Sequence, residues 1–349
     1  MNKTSRERLY LEGNPVLDGQ RASFVWLGEQ APDLSADFTD WQRGAPVQLE
    51  QVSPGTWVYQ IQLDPKAYIE YSFMRGDERL LDPFNPRTTP NGVGDTNNYF
   101  YLPGGQPTSL ARRKTGRLQG EVTRHQVPSD GLTTSRRRTV YLYRPPTPGP
   151  YPLVVVWDGL DYLRRARLPV IVDNLIAEGR IQPVALVMIQ NSKTARMLEY
   201  GASDITLGFL MDNVLPLAQV HLDLLDVASH PGAFGVLGAS MGGLMAMYTG
   251  CRLPQVFGKV LSQSGAFSIA GRDLVIFDLL RHIPNLPIQI WMDVGLYDFK
   301  SLLAANRKLK LALEERGCRF SYREYPAGHN YPAWRDEVWR GLEYLYPAR

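Results

Sequence analysis

Cysteine is nearly absent from the chain: there are two in 349 residues, Cys251 and Cys318, with no CxxC spacing. That count excludes a disulfide framework, which a chain long enough to bury a large core does not need, and both residues are read as free thiols. Histidine is also scarce, five in all, and no HExxH or Cys/His spacing links them. No metal and no cofactor is expected, and no glycine-rich nucleotide loop is present. The excess of positive charge is small, +3 from 38 Lys and Arg against 35 Asp and Glu. A nucleic-acid partner, which needs a basic stripe to displace counterions, is therefore not expected. Apolar runs such as residues 153–157 fall far short of the ~20 residues that cross a bilayer. The first twenty residues lack the apolar stretch of a signal peptide, so a cytoplasmic protein away from membranes is expected. What remains, 44% hydrophobic, 21% charged and 11% aromatic, is an ordinary globular composition, and the length predicts about two domains.

The pattern changes along the chain. Up to about residue 102 it consists of short alternating or aromatic runs broken by turns, such as SFVWLG (23–28), TWVYQIQL (56–63) and AYIEYSFMRG (67–76). In the second of these Trp57, Tyr59, Ile61 and Leu63 fall on one face, as in a half-buried antiparallel strand. A small β-sandwich over residues 1–110 is predicted. Its Trp26, Phe38, Trp41, Phe84 and Tyr99 exceed what so small a core needs, and segment 87–98 has the Gly, Asn and Pro content of a long loop. Both features predict a domain that helps hold a bulky substrate. Residues 111–124 continue a Gly-, Pro- and Arg-rich stretch without periodicity and predict a linker. From 125 to 349, continuous apolar strands (139–145, 152–159, 183–190, 233–240, 259–265, 288–295, 320–325) alternate with helical periods such as 168–180 and 301–317. That alternation predicts an α/β domain with a mostly parallel sheet covered on both faces.

Gly238-Ala239-Ser240-Met241-Gly242 fits G-x-S-x-G at the end of the apolar strand AFGVL and opens a helix-like run. A serine nucleophile needs a sharp strand-to-helix turn that exposes its hydroxyl, and glycines where bulkier side chains would collide. The N–H of Met241 then lies at a helix N-terminus, ready for an oxyanion. In hydrolases of this order the acid and the histidine follow the serine, which restricts the base to His282 or His329. His329, in the loop after FSYREY, is preferred, and His282 is read as a helix C-terminal residue. For the acid, Asp298 lies on the loop after IQIWMDVG and is preferred to Asp293 inside that strand. A second oxyanion donor is expected from Gly159 or Leu160, where VVVWDGL turns after its strand.

VVVWDG, NSKTARMLEYG, GASMGG, SQSGAF and the terminal PAGHNYPAWR together resemble the enterochelin esterase branch of the esterase D-like α/β hydrolases over residues 125–349. The early part is similar as well: DERLLDPFNPR (77–87) looks like the DP-N stretch of early-set, Ig-like carbohydrate-module sandwiches. The resemblance implies an α/β-hydrolase domain after an N-terminal β-sandwich. It implies a serine esterase with Ser240 as nucleophile, His329 as base and Asp298 as acid, and a small-molecule ester substrate of the siderophore trilactone type. Feruloyl or acetylxylan-type esters are the alternative within that class. A non-catalytic binding or acyl-transfer protein is the alternative outside it. An anionic siderophore calls for cationic contacts, for which Arg164, Arg165 and Arg196 are the candidates, together with Trp334 of the His-x-x-x-x-Trp ending. Arg167 extends the same basic turn, residues 136–138 are expected at the surface, and Arg196 with Glu199 is expected to form an i, i+3 pair.

Overall fold

The computed structural model describes residues 4–92, 94–132, 136–283 and 285–348. Residues 1–3 of the N-terminal stretch, Val93 of segment 87–98, residues 133–135, and Arg349 at the end of the predicted α/β domain lie outside the described residues, as does Pro284. The chain divides into two compact units. One comprises Met1–Pro107 with Gly295–Lys300 and Glu324–Ala333, and the other comprises Thr108–Val294, Ser301–Arg323 and Trp334–Arg349.

In the first unit, strands Val16–Asp18, Arg21–Leu27, Thr56–Gln62 and Glu50–Ser53 form one antiparallel sheet. Asp33–Ala36, Tyr68–Arg75, Thr96–Tyr101 and Thr88–Pro90 form another, with Glu78–Leu80 added beside Tyr68–Arg75. Both sheets give side chains to one apolar cluster, in which Phe24 of the first lies 4.9 Å from Tyr71 and 5.8 Å from Phe100 of the second. The DP-N stretch ties this core together through polar groups, since Tyr71 donates its hydroxyl and Asn14 its amide to Asp82 Oδ2, each at 2.6 Å.

The aromatic surplus is spent inside the unit. Trp26 packs edge-on against Phe73, Phe38 stacks on Tyr59, Phe84 meets Tyr10, Tyr99 meets Tyr68, and the Trp41 indole N–H donates to Asp37. Segment 87–98 is likewise no long loop, because Thr88–Pro90 pairs with Thr96–Tyr101 as a hairpin. The sequence pattern overstated both features because composition does not show which aromatic faces a second sheet.

The second unit is built on an eight-stranded sheet: β1 Glu121–Pro128, β2 Arg137–Arg144, β3 Leu153–Val156, β4 Ala185–Ile189, β5 Phe234–Ala239, β6 Phe257–Gln263, β7 Gln289–Gly295 and β8 Arg319–Tyr325. Its order is β1-β2-β4-β3-β5-β6-β7-β8. The β1–β2 and β2–β4 pairs are antiparallel, and the pairs from β4 through β3, β5 and β6 to β7 are parallel. All residues of β3, β4 and β5 are buried, as a sheet covered on both faces requires. The helices used below are α1 Gly159–Arg164, α2 Leu168–Ala177, α3 Met241–Arg252, α4 Lys300–Glu315 and α5 Tyr331–Leu345.

The stretch predicted to be a linker is an ordered strap. Leu110 and Ala111 are buried, the Asn174 amide of α2 donates to the carbonyls of Leu110 and Arg112, and Lys114 and Arg117 both reach Glu178. Gly120 N–H donates to Asp173, and β1 begins one residue later. Its Gly, Pro and Arg content served close backbone packing and ion pairing, which look like linker chemistry in one dimension. Among the described residues no helix is long and apolar enough to cross a membrane.

Candidate active site

Ser240 joins β5 to α3 at φ 58°, ψ −122°, a backbone conformation that a non-glycine residue adopts only when its surroundings enforce it. Here they do. The Ser240 N–H donates to the Gln263 carbonyl at 2.9 Å, and its own carbonyl accepts from Ala266 and Leu244, each at 3.0 Å. The flanking glycines are there for space. A Cβ on Gly238 would overlap the backbone of Gly242, one on Gly242 would come within 3.0 Å of Asp158 Oδ2, and one on Gly243 within 2.7 Å of Ser262 Oγ. Met241, at the first position of α3, has an N–H that the helix itself does not use.

The loop after β3 is held in the left-handed region at Asp158, φ 57°, and runs straight into α1. Asp158 is 1% exposed and its carboxylate is fully committed. Arg196 grips it with Nε at 2.7 Å and a second nitrogen at 2.5 Å, and the Asn191 amide donates at 2.6 Å. Its N–H donates to Tyr200 Oη at 3.1 Å, and its carbonyl accepts from Asp161 and Tyr162. Gly159 and Leu160 open α1, leaving first-turn N–H groups outside the helix ladder. Gly159 is glycine for a packing reason, since a Cβ there would overlap the backbone of Met188 and Ile189 on β4.

This arrangement corrects the expected Arg196–Glu199 pair. Arg196 belongs to Asp158, and Glu199 forms a two-pronged pair with Arg138 at 2.8 and 2.9 Å. Arg138, expected at the surface, is 5% exposed and Glu199 is 3% exposed. Three-residue spacing permits a helix pair but does not reveal a stronger partner on a neighbouring strand. Removing one member strands the other in a dry interior. Glu199→Ala is therefore expected to cost about 3–5 kcal/mol in denaturant unfolding, while Glu121→Ala, on the exposed Arg144 pair, should change little.

Asp298 and His329 come together. His329 Nδ1 lies 2.8 Å from Asp298 Oδ1, with the carboxylate side chain at 0% and the imidazole at 14% exposure. In a neutral ring, a carboxylate acceptor at this position favours the tautomer with the proton on Nδ1. Asp298 Oδ1 also accepts from Phe299 N–H at 2.7 Å, and the Phe299 ring lies 4.8 Å from the imidazole. The two loops are laced to each other by Leu296 N–H to the Tyr325 carbonyl and Tyr297 N–H to the Ala327 carbonyl. His282, the alternative base, ends a short helix, Ile276–His282.

Asp293 lies elsewhere, buried within β7. Its Oδ2 accepts from the Trp291 indole at 2.9 Å and the Gln263 amide at 3.3 Å. Burial pushes its carboxyl up to about 7, with the Trp291 bond opposing and Glu337 adding to the rise. The folded state then holds this proton up to about pH 7, while the unfolded chain releases it near pH 4. Its contribution to stability is present below pH 4 and is lost as pH rises through 7. Asp293→Asn, which cannot titrate, should therefore flatten the fall in unfolding free energy between pH 5 and pH 8, measured by urea titration at both.

Of the remaining candidates, Arg164 and Arg167 are exposed, and Arg165 reaches Asp161 at 3.5 Å. Trp334 is 4% exposed with its indole N–H on Ser264 Oγ, which makes it a packing residue beneath the loop after β6. Sequence reasoning missed Asp158, Asn191 and Tyr200 around the loop after β3, and Asp37 beside the histidine loop. The Asp-Gly pair after an apolar strand was the only signal for any of them. Among the described residues no group of three or more His, Cys, Asp or Glu is placed to hold a metal ion.

A model of the family described as Putative esterase matches residues 132–345. An iron(III) enterobactin esterase of Dickeya dadantii is 26% identical over 236 residues, covering 62% of this chain and 53% of the relative. The matched part spans about half the length of the first curated relatives. Among solved structures, the ferric enterobactin esterase of Salmonella typhimurium superposes with a TM-score of 0.77 at 20% identity, covering 93% of each chain. A ferulic acid esterase of the anaerobic fungus Anaeromyces mucronatus superposes with a TM-score of 0.56 at 18% identity, covering 68% of this chain and 95% of the other. These likenesses show an esterase fold of the α/β-hydrolase type.

Proposed function

We propose that this chain, which belongs to the Putative esterase family, is a serine esterase that cleaves carboxylic esters through an acyl-enzyme and takes siderophore esters of the enterobactin type. The observation that carries the reaction is the strained turn at Ser240, in a chain that also sets His329 on a fully buried Asp298. In this reading Ser240 Oγ attacks the ester carbonyl carbon while His329 Nε2 takes its proton. The oxyanion rests on the N–H of Met241 and on N–H groups of Gly159 and Leu160. His329 then protonates the leaving alcohol, and a water molecule, deprotonated by the same imidazole, releases the acid. Asp298 keeps Nδ1 protonated and steadies the imidazolium without taking the proton itself.

The siderophore assignment draws on the enterobactin esterases among its relatives. Of the arginines considered for an anionic ligand, Arg164 is exposed at the end of α1, while Arg196 is committed to Asp158. Feruloyl ester hydrolysis is the second reading, favoured by the shared fold of a ferulic acid esterase. We also read the two antiparallel sheets as an early-set, Ig-like sandwich of residues 1–110, ahead of a strap at 111–124 and a hydrolase domain at 125–349.

The test is a panel of catecholate trilactone, feruloyl and acetyl esters compared by kcat/KM on the full chain, with organophosphate labelling of Ser240 alongside. The trilactone should lead by at least about tenfold, roughly 1.4 kcal/mol of transition-state binding. A feruloyl lead would overturn the substrate. No turnover and no label would overturn the esterase and leave a binding protein.

A further inference from the structure

Asp37 lies about 290 residues before the histidine loop in sequence and beside it in space. It is 3% exposed and sits in the tight turn Asp37–Thr39, pinned by Thr39 Oγ1, which accepts from Ala36 N–H and donates to the Ala36 carbonyl, both at 2.9 Å. Both carboxylate oxygens are acceptors. Oδ1 takes the Trp41 indole N–H at 3.0 Å, and Oδ2 takes Glu70 N–H at 2.8 Å and the Asn330 amide at 3.5 Å, the outer edge of hydrogen-bond distance. Asn330 follows His329 directly, and its own Oδ1 accepts from Ala333 N–H at 2.9 Å in the first turn of α5. On the other side of His329, Gly328 presses so closely on Asp37 that a Cβ there would overlap the carboxylate. The residues before and after the imidazole thus both bear on this one group.

Two further bonds repeat the arrangement. Tyr68 N–H donates to the Pro326 carbonyl at 3.0 Å, and Lys300 N–H donates to Asp40 Oδ1 at 3.2 Å. Arg43 lies 3.7 Å from the centre of the Phe299 ring that adjoins His329. Burial and the neighbouring Glu70 push the Asp37 carboxyl well above the ordinary aspartate range, with Asp298 adding to the rise and the bonds from Glu70 and Trp41 opposing it. A carboxyl buried at that cost, with both oxygens receiving donors, is a demanding way to build a turn.

We infer that Asp37 is a positioning residue for the esterase reaction, holding the Gly328–His329–Asn330 backbone so that the imidazole stays in its productive place. The inference rests on the reading of His329 as the base. It assigns residues 1–107 a part in turnover itself, where the sequence pattern pointed only to a hold on bulky substrates. A misplacement of about 1 Å at a catalytic group costs on the order of a hundredfold in rate, and this is the loss expected in kcat for Asp37→Ala on a small activated ester, with KM nearly unchanged.

The experiment is a double-mutant cycle in the full chain on p-nitrophenyl acetate, with Asp37→Ala, Gly328→Ala and the pair. Each single variant should lose kcat while KM holds. The pair should be no slower than Asp37→Ala alone, because the added methyl then enters the space the carboxylate has left. Organophosphate labelling of Ser240 should slow in step with kcat. Unchanged kcat in Asp37→Ala, losses that multiply in the pair, or a rise in KM alone would each overturn the inference. Should Asp37→Ala fail to fold, Trp41→Phe carries the same test by deleting one donor to the carboxylate: lower kcat at constant KM supports the inference and unchanged kcat overturns it. A wild-type chain that neither hydrolyses any ester nor takes the label at Ser240 defeats the esterase reading instead.

Discussion

Ser240→Ala is expected to lower kcat for ester hydrolysis on the order of a millionfold, the usual cost of deleting a triad nucleophile. The substitution should leave the fold in place. Ser240 is half-buried at a turn whose backbone bonds, to Gln263, Ala266 and Leu244, do not involve the side chain, and alanine creates no core cavity. Its φ of 58° is as costly for alanine as for serine, so the melting temperature should move little. The N–H of Met241, proposed as an oxyanion donor, survives the substitution, so some catalysis above the uncatalysed rate should remain. Retention of even about a tenth of wild-type turnover, far above that remnant, would show that the bond-breaking group lies elsewhere. The control is Ser262→Ala. Ser262 Oγ lies 2.7 Å from where a Cβ on Gly243 would be, so its loss touches the packing under α3 without removing a nucleophile, and turnover should survive.

The parts of this site that were legible in sequence are those whose chemistry is local. The turn at Ser240 needs glycines within two residues on either side, and G-x-S-x-G after an apolar strand records that need directly. The placement of Asp298 after β7 and His329 after β8 follows from the tendency of a parallel sheet to present its functional side chains on the loops beyond its strand ends. The alternation of buried strands with helices was equally plain, since β3 to β5 are covered on both faces and carry continuous apolar runs.

The Asp298–His329 pair apart, the partnerships that escaped the sequence were those made across long separations. Arg138 precedes Glu199 by 61 positions, and Asp37 precedes Asn330 by 293. No period or spacing joins such pairs. Arg196 and Glu199 lie three apart and were paired on that ground, yet each found a stronger, more buried partner on a different element. The strap at 111–124 failed for a related reason. Glycine, proline and arginine suit a flexible connector, but they also suit a chain pressed against its neighbours, as where Gly120 approaches Tyr143 and Arg144 of β2 too closely for any Cβ. Composition records what a segment is able to do, and the hydrogen-bonding groups of Asp173, Asn174 and Glu178 decided what it does.

Asp298→Asn is expected to lower kcat about ten-thousandfold, against a small change for Asp293→Asn. The physical distinction lies in which nitrogen each acid faces. Asp298 Oδ1 lies 2.8 Å from His329 Nδ1, the contact that in the proposed mechanism makes Nε2 the nitrogen that takes the serine proton. An asparagine that turned its amide N–H toward the ring would instead hold the other tautomer, with Nε2 protonated and useless as a base. One that turned its oxygen toward the ring would still lack the charge that steadies the imidazolium. Asp293 Oδ2 instead accepts from the indole N–H of Trp291 and the amide of Gln263, both of which an asparagine oxygen can accept. Since burial already raises its carboxyl to about 7, the neutral amide resembles the form populated at lower pH. The comparison is made by kcat on a small activated ester, with kcat followed across pH 5 to 9. Asp298→Asn should stay slow throughout, because raising the pH does not correct a tautomer, whereas Asp293→Asn should track the wild type. If Asp293→Asn proves the slower variant, the acid is on β7 and the Asp298–His329 contact serves structure alone.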